Sequence, residues 1–244
     1  MEMHESNNNN NINNNQYNVI EAKEIEDELI IQGENFLNSS DGRSAIGVNL
    51  INETMKSICK VIVKDNKDRM IMGTGFFIKV SNNKRYLVTN YNIISEEINK
   101  DDIEIEIHNQ KVFKLNFNVI KYFPIPINIT LIEIKITDEI YNDIKFLYYD
   151  LDNNIDYKIY KNQYVFSIFY LFRKSALYSS GQIIDIIDYK LKHNIITDIG
   201  AGGCPIILLN NNTKYVTVIG IHHGKFNATD ISFGTFIGKV FNEI

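Results

Sequence analysis

Gly200-Ala201-Gly202-Gly203-Cys204-Pro205 places three glycines in four positions and follows them closely with a proline. Such a run suits neither a helix nor a central strand. It predicts a tight, open turn whose backbone N–H groups are free to point at a ligand. An extended segment, His193–Ile199, precedes it, and the short apolar run Ile206-Ile207-Leu208-Leu209 follows as a buried strand. Strand, glycine turn, strand is therefore the local plan. It is either an ordinary turn or a backbone cradle, and the rest of the chain has to decide which.

The chain has 244 residues, 44% hydrophobic and 23% charged, enough for one β-rich domain or two small subdomains around a sizeable core. Its net charge of -5, with no basic stripe interleaved with aromatics, argues against nucleic acid as a partner. The two cysteines, Cys59 and Cys204, lie far apart without metal-ligand spacing and read as free buried thiols; no metal or cofactor is expected. Met1-Glu2-Met3-His4-Glu5 is acidic and no apolar leader follows it. No apolar run approaches the roughly 18 residues of a membrane span. The expected setting is the cytoplasm, away from membranes.

Residues 1–18 are dominated by asparagine and are expected to be disordered. Residues 19–53 are expected to be a helical extension and linker. Good helix formers run from Val19 to Ile31, with Ile25 and Leu29 one turn apart, and 38–50 read as linker. The main domain, 54–244, is expected to start near Thr54. Its apolar runs are short and bounded by Asn, Asp, Lys and Gly clusters. Strands are expected over Ile58–Val63, Met70–Val80, Tyr86–Asn90, Ile103–Ile107, Val112–Phe117, Thr130–Ile136, Tyr164–Phe169, Gly181–Asp188, Tyr215–Ile221 and Phe233–Phe241. Even spacing with few helical patterns predicts an all-β antiparallel barrel or sandwich.

Several blocks resemble the trypsin/chymotrypsin-like serine proteases. Gly73-Thr74-Gly75-Phe76, then Leu87-Val88-Thr89-Asn90-Tyr91-Asn92-Ile93-Ile94, is similar to the family's Gly-Ser/Thr-Gly-Phe and Leu-Val-Thr-Asn-x-His-Val-Ile. Asn128-Ile129-Thr130-Leu131-Ile132-Glu133-Ile134 resembles Asp-Ile-Ala-Leu-Leu-x-Ile. The glycine turn resembles Gly-x-Ser-Gly-x-Pro, and Val218-Ile219-Gly220-Ile221-His222-His223-Gly224 resembles the strand lining the specificity pocket in the glutamyl-endopeptidase-like branch. The blocks follow the family's order between residues 73 and 224. The resemblance implies two antiparallel six-stranded-type β-barrels of the chymotrypsin-like fold with the site between them, preceded by the helical or disordered extension.

The departures matter as much. The family's general-base histidine falls on Asn92, its aspartate on Asn128 and its nucleophile on Gly202. A triad needs an imidazole to accept a proton, a carboxylate to orient it and a hydroxyl or thiol to attack. None of the three is present. The Gly200 and Gly202 N–H groups can still form an oxyanion-hole-like nest. Cys204, two positions past the nucleophile slot, is either a buried structural thiol or an alternative nucleophile; His108 and His193 are other imidazoles, and nothing ties either to Cys204. By resemblance, His222, His223 and Gly224 form the specificity pocket, with His222 contacting an acidic substrate side chain. Peptides with Glu or Asp would then bind more tightly below about pH 6.5. The alternative is that one of these histidines is simply packed in the core. Three functions follow: an inactive homologue that binds a peptide or partner, an active endopeptidase using Cys204, or a structural β-domain.

Overall fold

The computed structural model describes residues 36–38, 44–80, 84–108, 111–114, 119–149, 156–172, 175–208, 216–226 and 229–243. The tail at 1–18 and the helix expected over 19–31 lie outside them. A small antiparallel pair, β1 (Phe36–Asn38) and β2 (Ser44–Ile46), precedes helix α1 (Val48–Met55). The helix runs across the start expected at Thr54. Leu50 and Thr54, four residues apart, share its buried face, and Leu50 is 1% exposed in the core. The polar residues between them hid this short helix in the sequence.

The N-terminal half holds β3 (Ile58–Lys64), β4 (Met70–Lys79), β5 (Arg85–Thr89), β6 (Ile103–Ile107), β7 (Lys111–Lys114), β8 (Ile120–Phe123) and β9 (Ile129–Glu133). They pair antiparallel in the spatial order β7-β6-β3-β4-β5-β9-β8. A short β10 (Leu147–Tyr148) lies parallel to both β4 and the later β15 (Thr217–Lys225), joining the halves. The C-terminal half adds β11 (Tyr164–Tyr170), β12 (Ala176–Ile187), β13 (Lys190–His193), β14 (Pro205–Leu208) and β16 (Ser232–Phe236). With β15 these form a closed six-stranded barrel, β11-β12-β13-β16-β15-β14 and back to β11. The all-β class and barrel architecture hold. Among the described residues the N-terminal ladder contains seven strands and does not close through a β7–β8 pair.

Strand alternation builds the cores. Cys59, Val61, Val63, Phe77, Leu87, Ile105 and Ile132 form the core enclosed by the curved N-terminal ladder. Val165, Ile183, Leu191, Ile206, Ile219 and Phe236 fill the C-terminal one. The intervening residues, Ile58, Phe76, Ile78, Val88, Leu131, Phe166, Ile168, Ile207 and Val218, pack the two barrels together. Because side chains switch face at each residue, one apolar run serves a barrel interior and the inter-barrel seam at once. Phe233–Phe241 is corrected: the strand ends at Phe236 and helix α2 (Gly238–Phe241) follows. Ile237, Val240 and Phe241 recur at helical spacing and are buried in the seam. No helix among the described residues is long and apolar enough to cross a membrane.

Candidate functional site

The loop between β13 and β14 lies across the seam and is tied to the N-terminal barrel by Thr74. The Thr74 N–H donates to the Gly202 carbonyl (2.8 Å) and its hydroxyl donates to the Gly200 carbonyl (2.9 Å). The same Oγ1 accepts from the Tyr170 N–H at 3.0 Å, and the Thr89 hydroxyl donates to the Thr74 carbonyl at 2.9 Å. Gly73 is needed because a Cβ there would lie 2.1 Å from Ile93 Cδ1 and 3.0 Å from the Gly202 carbonyl. Gly203 has φ +88°, and a Cβ would lie 2.1 Å from the Thr74 carbonyl oxygen. The glycine motif therefore reflects two backbones brought into contact.

A cleft of about 620 Å³ opens there, lined by Asn92 and Ile93 from the N-terminal half and by Thr197–Gly200, Gly202 and His222–Lys225 from the C-terminal half. Asn92 stands on a helical turn begun by Asn90, whose carbonyl accepts from the Ile93 and Ile94 N–H groups. Its side chain is exposed and its N–H donates to Asn128 Oδ1 at 3.0 Å. Asn128, 9% exposed, has φ +59°, a left-handed conformation that asparagine tolerates. Gly202 lines the same cleft as Asn92, and a side chain there would make only ordinary contacts. A Cβ would meet Asn90 Nδ2 at 3.4 Å, the His223 carbonyl at 3.7 Å and Ile93 Cδ1 at 3.9 Å. Its φ is outside the left-handed range, unlike that of Gly200 at +103°.

The Gly200 and Gly202 N–H groups have no acceptor among the described residues, whereas Ala201, Gly203 and Cys204 donate to Asp198, His222 and Ala201. Cys204 is 0% exposed, packed with Phe169, Leu171 and Ala201, and burial pushes its thiol up to about 12. The Ser167 hydroxyl donates to the Pro205 carbonyl at 2.6 Å and lies 2.9 Å from Cys204 Sγ. The thiol is outside the cleft lining and chemically quiet. His108 sits at the end of β6, with Nε2 against the Asp143 carbonyl at 3.2 Å, away from the cleft.

Sequence reasoning did not pair His193 with His222. The Ile195 N–H donates to His193 Nδ1 at 3.3 Å, so His193 carries its proton on Nε2 and donates to His222 Nδ1 at 3.2 Å. His222 then holds its proton on Nε2, which has no partner among the described residues. His223 Nδ1 lies 2.9 Å from Asn90 Oδ1 and 3.3 Å from Asn128 Nδ2, and its Nε2 is 2.8 Å from Thr235 Oγ1. Asn90 also donates through Nδ2 to the His222 carbonyl at 3.1 Å. Asn90, Thr74 and His193 thus hold the site together. The sequence placed the first two inside family-like blocks without assigning them roles.

Burial holds His193 well below its usual range, His222 down at about 4 and His223 at about 3. A charge on His222 in the free protein therefore appears near pH 4, where a glutamate ligand itself begins to neutralise. That moves the acid-enhanced binding window well below pH 6.5. The folding consequence has a definite sign. The unfolded chain takes up these protons near pH 6.5 and the folded chain resists until much lower pH, so stability falls as pH falls through that window. At ~1.4 kcal/mol per pH unit, His222 alone accounts for roughly 2 kcal/mol between pH 7 and pH 4.5. Urea unfolding from pH 7 to pH 4.5 is expected to show this loss, reduced in His222→Gln; an equal slope in the variant would refute it.

No family model matches this chain, and no curated protein matches it. Solved structures do. The active form of the Rv3671c protease from M. tuberculosis superposes with a TM-score of 0.59 at 16% identity, over 80% of this chain and 85% of that one. Its inactive form gives 0.55 at 15% identity, over 80% and 93%. The serine endoprotease from Yersinia pestis gives 0.58 at 13% identity, over 79% of this chain and 62% of that one. With its closed C-terminal barrel packed on a seven-stranded antiparallel ladder and the cleft between the two halves, this chain has the chymotrypsin-like serine protease fold.

Proposed function

We propose that this chain is a pseudoprotease that binds an extended peptide, or a partner presenting one, without cleaving it. The observation that carries the reading is the set of groups around the cleft. Asn92 and Gly202 line the cleft and Asn128 bonds the Asn92 N–H; taken as the triad-equivalent positions, as the sequence resemblance has them, they supply no base and no nucleophile. The peptide lies by strand addition beside His223–Lys225. There β15 pairs with β16 on one edge, while its β14 partner stops opposite Ile221. His222 Nε2 offers a neutral donor to an acceptor on the ligand.

The natural chain is expected to take up labelled peptides with no turnover over hours. Neither serine-directed nor thiol-directed covalent probes should label it while folded, because Cys204 is buried and protonated at neutral pH. Peptide cleavage that disappears in Cys204→Ala would instead establish a thiol peptidase. Absence of both uptake and cleavage would leave a structural β-domain.

A further inference from the structure

We propose that the cleft selects the free C-terminal carboxylate of a peptide over an internal segment. One oxygen sits on the Gly200 and Gly202 N–H groups and the other in the space beside the Gly202 Cα. This rests on the peptide-binding reading and makes it more specific.

The loop's polarity supports it. The carbonyls of Gly200, Ala201 and Gly202 are all turned into protein bonds, to Thr74 Oγ1, the Cys204 N–H and the Thr74 N–H. The N–H groups of Gly200 and Gly202 remain without acceptors among the described residues. A backbone turn with its carbonyls engaged and its N–H groups free is a pre-formed anion cradle. The cross-barrel bonds keep that arrangement from relaxing.

The missing side chain supplies the room. Gly202 lines the cleft with no side chain of its own, so a carboxylate oxygen can approach its Cα from the cleft at ordinary contact distance. The atom nearest a Cβ built there is Asn90 Nδ2, which has two hydrogens and spends one on the His222 carbonyl. An internal peptide carbonyl brings one uncharged oxygen to this place; a terminal carboxylate brings two and makes charge-assisted bonds. A terminal carboxamide puts its NH₂ against donors. Asp198 also lines the cleft, with its Oδ1 accepting from the Ile199 N–H, and Lys225 on the same lining is paired with Asp230, so the cradle itself is made of backbone N–H groups.

The test uses two N-terminally fluorescein-labelled degenerate hexapeptide pools, identical except for a free acid or a carboxamide at the C-terminus. Polarisation titrations at pH 7 are expected to favour the acid pool by roughly tenfold or more. Amide NMR should show the Gly200 and Gly202 resonances shifting with the acid pool. Gly202→Ser, which fills the space at an unstrained φ, should shrink the preference to about threefold or less. Equal binding of both pools overturns the carboxylate inference and leaves peptide binding standing. Binding of neither pool overturns both. An acid preference undiminished in Gly202→Ser, with those two resonances unmoved, places the carboxylate elsewhere and also overturns it.

Discussion

Peptide hydrolysis is expected to appear when Asn92→His, Asn128→Asp and Gly202→Ser are made together, and in none of the three single variants. Serine alone has no base, histidine alone has nothing to activate, and aspartate alone has no imidazolium to stabilise. Glycine at a nucleophile position raises the concern that its backbone has drifted to a positive φ that serine dislikes. Here the positive φ values fall on Gly200 and Gly203, and position 202 has room for a side chain at ordinary contact distances. The Asn92 N–H already bonds the side-chain oxygen at 128, so an aspartate there starts in position beside residue 92. His223 is the complication: its Nδ1 lies 3.3 Å from Asn128 Nδ2, and a carboxylate at 128 would draw a proton onto that ring as well. Losing triad members from a working site costs roughly 10⁴–10⁶ in kcat. A poorly aligned restored site should therefore still exceed every single variant by about 10²-fold. The measurement is cleavage of a peptide panel by the natural chain, the singles and the triple. A folded, inert triple variant would mean that these positions are not the triad equivalents or that the cleft no longer admits substrate.

Thr74→Val is expected to cost about 2–4 kcal/mol of stability. The residue is 0% exposed, and valine keeps its shape while removing the hydroxyl. The Tyr170 N–H then loses its acceptor and the Gly200 carbonyl loses its donor, both at the packed junction of the barrels. For a domain of this size that corresponds to a melting point lower by roughly 5–15 °C. Thr74→Ser retains the hydroxyl and should lose much less. Thermal and urea unfolding of both variants separate the effects, and a Thr74→Val protein within about 0.5 kcal/mol of the natural chain would show that the hydroxyl does not pin the loop. Peptide uptake should fall with it, since the free N–H groups depend on where the carbonyls are held.

Much of this was legible from residue type and spacing. Ile103–Ile107 was delimited as observed, because strict alternation of isoleucine and glutamate leaves no other periodicity. Ile58–Lys64 and Tyr164–Tyr170 differed from expectation by one residue at an end. The glycine turn was recognisable because Gly200 and Gly203 take backbone angles that side chains resist. Elements without a strong period were not: α1 is eight residues long and mixes apolar and polar residues evenly, β10 is two residues long, and α2 continues an apolar strand without a break. Within the site, Asn92, Asn128 and Gly202 stand out by their place in ordered blocks; the structure puts Asn92 and Gly202 in the lining of one cleft and Asn128 behind it, bonded to the Asn92 N–H.

Residue types and spacing along the chain are enough for an all-β reading with short strands, for a glycine loop, and for asparagine, asparagine and glycine at the three positions matched by resemblance. These depend on residue types and local spacing, which need no long-range information. It takes the folded molecule to show that Thr74 holds the loop and Asn90 holds β15 from the other half, that His193 sets the tautomer of His222, and that Cys204 is sealed in the core. Each depends on atoms brought together from distant parts of the chain, 132 residues apart for Asn90 and the His222 carbonyl. Burial then changed the chemistry of those groups, lowering the histidines and raising the thiol, because charge is costly where water is excluded.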